Sequence, residues 1–232
     1  MDLSTRQRTI DELMDEDAAD ADELRRSLGF IRRVNRFLGY TRGIIRHLEQ
    51  FSRSWEPGQP MRIIDLATGS ADIPQAILRW ADRRQFSLRI VAVERHPVTL
   101  AEANRRNTDS RLTLLQADAF NLPFAPASFD YALNAMFLHH LDEEQVIQLL
   151  RIMDRLATRG LIVADLLRHQ RALQWIRAMT ALSTPMVRHD ARVSVMQSFR
   201  QSEIERLRDQ AGLDYLRYYR HFGHRFVLAG RK

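Results

Sequence analysis

The 232-residue sequence contains no cysteine. Disulfides, thiolate metal centres and cysteine nucleophiles are therefore excluded. Lysine is nearly absent too: Lys232 stands alone, so 34 of the 35 basic residues are arginine. The net charge of +6 and pI of about 10.4 would suit a polyanion. The arginines are scattered, however, never more than two in a row, and read mainly as solvated faces. Nucleic acid is accordingly a disfavoured partner. No run of about 18 apolar residues occurs, so no transmembrane helix and no membrane partner are expected. The start, "MDLSTRQRTIDELMDED", is polar and acidic, unlike a signal peptide, and a cytoplasmic location is expected.

Hydrophobic residues make up 45% of the chain, enough for a real core. Residues 1–58 read as an N-terminal helical cap. "DELMDEDAADADELRR" is acidic up to Glu23 and reads as a solvated segment. Beyond it Leu28, Ile31, Val34, Leu38, Ile45 and Leu48 fall at helical spacing, with Gly39 and Gly43 as candidate breaks. "EPGQP" at 56–60 is a linker. Residues 59–232 form the second unit. In it "MRIIDLA", "LRIVAVE", "RLTLLQA", "FDYALNA" and "GLIVADL" read as strands, separated by helices at 72–83, 97–106 and 142–156. This alternation predicts an α/β fold, a parallel sheet with helices on both faces. A helical insert at about 167–197 follows, with Pro185 as a breaker, then a helix capped by Ser198 or Ser202. The end, "LDYLRYYRHFGHRFVLAGRK", reads as a hairpin turning near Gly223.

Glycine is scarce where a nucleotide cradle would need it. "IIDLATGSADIP" (63–74) runs from strand to loop to helix with one glycine, Gly69. On a dinucleotide fingerprint the positions fall on Ala67, Gly69 and Asp72. An aspartate at the helix N-terminus repels a phosphate, so NAD and FAD fit poorly. A ligand with a cationic end and no phosphates fits better. S-adenosylmethionine (SAM) is one, with Asp65 and Asp72 supplying negative potential to its amino and sulfonium groups. Glu94, ending the second strand, is placed to accept from ribose hydroxyls. Asp118 is placed to accept from the adenine amino group, with the backbone near Ala119 and Phe120 reading the ring edge.

"DLATGSADIP", "VAVERHP", "LLQADAFNLPFAPASFDYALNAMFLHHL" and "GLIVADL", in this order and spacing, resemble the class I SAM-dependent methyltransferases. The resemblance implies a Rossmann-like sheet, parallel with a C-terminal antiparallel hairpin strand. It also implies a SAM site at Asp65, Ala67, Thr68, Gly69, Asp72, Glu94, Arg95, Asp118, Ala119, Phe120 and Asn134. S-adenosylhomocysteine (SAH) is the implied product. Alanines replace the family's glycines at 67 and 71, which is tolerable where φ stays negative. Arg95 stands where an apolar residue often packs on adenine, and could stack through its guanidinium plane.

The substrate is narrowed by what is missing. The N/D-P-P-Y/F motif of base-directed amino methyltransferases is replaced by "NAMFLHHL", and cytosine-C5 chemistry lacks its cysteine. No clustered acids suggest a metal-dependent catechol enzyme, and no metal is expected. A small-molecule acceptor remains, by resemblance to O-methyltransferases that accompany type III polyketide synthases. The alternatives are C-methylation of a quinone-type ring and a non-catalytic SAM-binding or interaction protein. The same resemblance pairs His139 as base with Asp165 as its orienting carboxylate. An alternative is that His139 and His140 cap or pack the following helix. Phe137, His140, Trp175 and His189 are substrate-facing candidates, with Phe30, Phe37, Tyr40, Met179 and Met186 as further apolar wall; His47, His96 and His169 read as surface residues. Monomer and homodimer stay open.

Overall fold

The computed structural model describes residues 3–8, 10, 12–15, 20–37, 39–56 and 58–232. The expectations for Leu38, for Pro57 in the linker and for positions 11 and 16–19 of the acidic stretch fall outside them. Seven strands form one sheet: β1 (Met61–Leu66), β2 (Leu88–Glu94), β3 (Leu112–Gln116), β4 (Phe129–Ala135), β5 (Ala157–Leu166), β6 (Arg217–His221) and β7 (Arg225–Arg231). Their order is β3-β2-β1-β4-β5-β7-β6. The first five are parallel, and β7 is antiparallel to both β5 and β6. This is the parallel sheet with an antiparallel C-terminal hairpin that the sequence pattern implied.

Among the described residues eight α-helices surround it: α1 (Ala21–Phe37), α2 (Tyr40–Phe51), α3 (Asp72–Arg84), α4 (Pro97–Arg106), α5 (Glu143–Leu156), α6 (Gln170–Met179), α7 (Pro185–Gln197) and α8 (Gln201–Ala211). Successive side chains of a buried strand point to opposite faces, so each strand feeds two cores. Ile64, Leu66, Val163 and Phe226 join the residues of α5 and α8 on one face. Ile63, Leu133, Ile162 and Val227 join those of α2 and α3 on the other. Each such side chain contributes about 1.5–3 kcal/mol by leaving water.

Local chemistry sets the helix ends. The Asp20 carboxylate accepts from the Asp22 and Glu23 N–H groups and starts α1. Gly39, at φ +80°, separates α1 from α2, whereas Gly43 lies inside α2 and breaks nothing. Asp142 opens α5 in a capping box with Gln145. Pro185 is the first residue of α7, behind the Thr184 cap. Neither Ser198 nor Ser202 caps α8. Arg200 is its N-cap, and the Glu203 carboxylate accepts from the Arg200 N–H, while Ser198 Oγ donates to the Ser194 carbonyl.

The N-terminal region divides in a way the sequence did not suggest. Helix α2 is part of the layer covering the sheet, with Ile44 and Leu48 in the core. His47, expected at the surface, is 3% exposed, and its Nε2 lies 3.2 Å from His221 Nε2. Burial pushes its pKa down to about 4. Residues 3–8, 10 and 12–15 instead lie as a strap across the ends of the strands. The Leu3 carbonyl accepts from Arg168 and Arg200, Arg6 donates to the His139 carbonyl at 2.8 Å, and the Asp190 carboxylate receives the Leu13 and Met14 N–H groups. Among the described residues no helix is long and apolar enough to cross a membrane.

Two glycines let the C-terminal hairpin close. A Cβ on Gly160 would stand 2.3 Å from the Gly230 carbonyl oxygen, and one on Gly230 would stand 2.2 Å from that of Tyr215. Gly230→Ala is therefore expected to destabilise by about 2–3 kcal/mol. Gly29 in α1 meets only Arg32, at 3.5 Å, so Gly29→Ala is expected to stabilise by about 0.5–1 kcal/mol through helix propensity. Urea unfolding of both variants checks the pair.

Candidate active site

The C-terminal ends of β1, β2 and β4, the strap, α1 and α7 enclose a cavity of about 520 Å³. A second hollow, of about 460 Å³, lies on α5 around Ile147, Arg151 and Ile152. It does not touch the loops after the parallel strands, where ligands of open α/β sheets bind.

The loop after β1 forms the cavity's first wall. Ala67, Gly69 and Ala71 all have positive φ, at 55°, 59° and 55°. The condition under which alanine would be unstrained here, a negative φ, is therefore not met: the turn takes the left-handed region at all three positions. For a residue with a Cβ this costs about 1–2 kcal/mol. Backbone from Ala67 to Ser70 lines the cavity.

Glu94 closes the same corner. Its carboxylate accepts from the Gly69 N–H and the His96 N–H, each at 2.9 Å. Those bonds fix its orientation and leave lone pairs for a ligand's hydroxyls. Asp65 sits behind the loop, 2% exposed, accepting from Thr68 Oγ1 at 2.5 Å. Its Oδ1 has no hydrogen-bond partner among the described residues. Burial raises the Asp65 pKa to about 7, with nearby Asp72 and Glu94 adding to the shift. Burial also raises Asp72 and Glu94. Asp72 is held by Asn35 and Ser70, each at 3.2 Å. All three carboxylates are shifted upward on balance, although Arg32 acts on Asp72 from a distance, and together they form a corner that attracts positive charge and repels phosphate.

The far wall of this half is the loop after β3. Asp118 accepts from the Phe120 N–H at 2.9 Å, and Asp118, Ala119 and Phe120 all line the cavity. Arg95, exposed, lines it from the end of β2, beside half-buried His96, which caps α4. Asn134 stands behind the wall, donating to the Leu66 carbonyl at 2.7 Å.

The other half of the cavity is built on a short 3-10 turn, Leu138–His140, that follows β4. His139 Nδ1 lies 2.7 Å from Asp165 Oδ1, and the His139 N–H donates to Asp165 Oδ2 at 3.1 Å. Both residues are almost completely buried. Burial opposes ionisation of Asp165, but its attraction to His139 and their hydrogen bond outweigh it and hold the carboxyl below its ordinary range. An ionised Asp165 fixes the proton of His139 on Nδ1 and leaves Nε2 as the available nitrogen. His139 and His140 line the cavity, their ring centroids 4.3 Å apart.

The apolar wall differs from expectation. Phe30 and Phe137 line the cavity as expected, together with Leu28, Ile31, Val34 and Val187. Trp175 lies elsewhere, edge-on to Phe222 in the hairpin turn, and His189 bonds its neighbour Asp190. Neither is among the lining residues. Phe37 is 73% exposed, and Tyr40 packs in the core beneath the Arg225 guanidinium. One site residue was missed altogether: Glu12, in the stretch read as solvated, is buried, and its Oε1 lies 3.6 Å from His139 Nε2. Nothing in the sequence marks it off from its acidic neighbours.

Two predictions follow from the loop after β1. Ala67→Gly relieves the left-handed strain and is expected to stabilise by about 0.5–1 kcal/mol after the extra chain entropy of glycine. Ala71 is completely buried, so Ala71→Gly also loses a methyl worth about 0.8 kcal/mol and is expected to be near neutral. Asp65 has a folded pKa raised from 3.8 to about 7. Folding therefore favours its protonated form, and the resulting penalty is absent below about pH 4, grows as pH rises and is complete above about pH 7. Asp65→Asn is expected to gain stability over wild type at pH 8 and none at pH 4, measured by thermal unfolding of the ligand-free protein.

Residues 63–160 match the family described as "Methyltransferase domain". A 79-residue segment is 33% identical to the demethylmenaquinone methyltransferase of Porphyromonas gingivalis, covering 34% of this chain and 32% of that protein. The chain thus spans about a third of that relative's length. Among solved structures, the plantazolicin methyltransferase in complex with SAH superposes with a TM-score of 0.68 at 14% identity, over 90% of this chain and 77% of the other. A SAM-dependent methyltransferase from Aquifex aeolicus superposes at 0.62 and 14% identity, over 91% and 98%. The fold is the Rossmann-like fold of these methyltransferase structures, and residues 63–160 match a methyltransferase-domain family.

Proposed function

We propose that this protein is a SAM-dependent methyltransferase whose acceptor is a hydroxyl of a small aromatic, phenolic or polyketide-like molecule. The observation that carries the reading is the buried His139–Asp165 pair, which lines the same cavity as the carboxylate-rich loop after β1. SAM fits that loop. Glu94 has free lone pairs for the ribose hydroxyls. Asp65 has an unpartnered oxygen and, with Asp72, the negative potential that an amino group and a sulfonium require. The residues at 118–120 stand at the other end for the adenine.

SAM supplies an electrophilic methyl group. The acceptor oxygen forms a bond to the methyl carbon as the carbon–sulfur bond breaks, and the electron pair returns to sulfur, leaving neutral SAH. The rest is this chain's work. The cavity walls hold the two reactants in line, which supplies much of the rate. The strap and α7 exclude water. His139 Nε2 takes the hydroxyl proton, and Asp165 orients the ring and stabilises the cation formed. The roles of both residues come from the family resemblance and agree with the 2.7 Å contact between them.

A second reading, C-methylation of a quinone-type ring, draws support from the segment shared with a demethylmenaquinone methyltransferase. The cofactor half of the site would be the same. Mass spectra of products made with labelled methyl groups separate the two.

Calorimetric titration with SAH is expected to give micromolar binding that falls at least tenfold in Glu94→Ala. His139→Asn is expected to keep SAH binding and lose about 10²–10⁴-fold in turnover of a phenolic acceptor. Absence of SAH binding by the wild type would contradict the reading.

A further inference from the structure

Glu12, His139 and His140 each offer one metal-ligating atom, and those atoms all lie within 4.8 Å of one another. Two of the three are buried and the third is half-buried. His139 Nδ1 is committed to Asp165, so the nitrogen facing Glu12 is Nε2, at 3.6 Å from Oε1. Bonds of about 2.0–2.2 Å from a tetrahedral zinc ion to nitrogen and oxygen place neighbouring ligand atoms about 3.4 Å apart. The observed separation is within a few tenths of an ångström of that edge.

The surroundings are those of a metal centre. Ligating histidines characteristically donate their second ring N–H to a carboxylate, which fixes the tautomer and raises ligand basicity. Asp165 does this for His139. Ligating carboxylates are hydrogen-bonded in turn, and Ser194 Oγ donates to Glu12 Oε1 at 2.6 Å. All three residues line the cavity, so a fourth position faces the space where an acceptor would bind. Three protein ligands and one open position describe catalytic rather than structural zinc.

We propose that Glu12, His139 and His140 form a divalent transition-metal site of the zinc type at the acceptor end of the cavity. The ion's role rests on the methyl-transfer reading, but its binding does not. An acceptor hydroxyl on the open position loses its proton to solvent more readily, because the metal stabilises the oxyanion. Its oxygen then attacks the methyl carbon as before. A metal on Nε2 takes over the task that His139 performs alone as a base. The strap that carries Glu12 would complete the site only when docked on α7.

The test uses the full chain after dialysis against a chelator. Cobalt(II) is titrated in and followed by visible absorption, then displaced by zinc, and SAH affinity is measured on the same preparation. One equivalent of cobalt with tetrahedral band intensity, displaced by one of zinc, is expected. Glu12→Gln and His140→Asn are each expected to weaken binding at least tenfold, and Asp165→Asn by about 10–100-fold. Circular dichroism checks that each variant is folded, and Ser194→Ala, expected to weaken binding more mildly, gives a readout if a ligand variant unfolds. Wild-type affinity no better than millimolar would overturn the proposal, as would unchanged affinity in folded Glu12→Gln. Metal failure with SAH binding retained overturns only the metal site. The reverse overturns only the methyltransferase reading.

Discussion

The bond between His139 and Asp165 is the contact on which the site depends. It joins the turn after β4 to the end of β5, two neighbouring parallel strands, and both residues are almost completely buried. Charge-assisted and buried, it is strong, and losing one partner leaves the other uncompensated. The strap then builds on that turn. Arg6 donates to the His139 carbonyl and its guanidinium covers the Phe199 ring at 3.7 Å, so Arg6 is held by residues more than 130 positions away.

The cofactor half obeys a different constraint. A sharp turn after β1 brings backbone N–H groups to the ligand side, and its left-handed positions at 67, 69 and 71 are strained in the two alanines. Around it the protein buries Asp65, half-buries Asp72 and Glu94, and gives none of these three a cation as closest partner. Such an arrangement costs stability in the ligand-free chain. A ligand bearing positive charge would offset the desolvation of these carboxylates on binding.

The sheet and its order were legible because buried parallel strands leave short apolar runs between helical stretches. That Asp65, Glu94 and Asp118 gather at one end of the sheet was legible because strand ends fix where they can point. The failures share one cause. His47, Trp175, His189 and Glu12 lie on elements whose position is set by long-range packing, and periodicity reports a face without saying what covers it. Glu12 is the clearest instance: the seven other acidic residues between positions 11 and 23 look alike in sequence, and only docking of the strap on α7 distinguishes the one that reaches His139. The left-handed φ of Ala67 and Ala71 escaped for a related reason, since alanine does not advertise the turn that glycine would.

The central claim is that the corner formed by the loop after β1, Glu94 and residues 118–120 holds the adenosine of SAM. A crystal structure of the protein grown with SAH tests it most directly. The account predicts both ribose hydroxyls on the Glu94 carboxylate, the adenine against Asp118–Phe120 and the sulfur directed towards the His139 end of the cavity. SAH bound elsewhere, or in this cavity with its ribose away from Glu94, would contradict it.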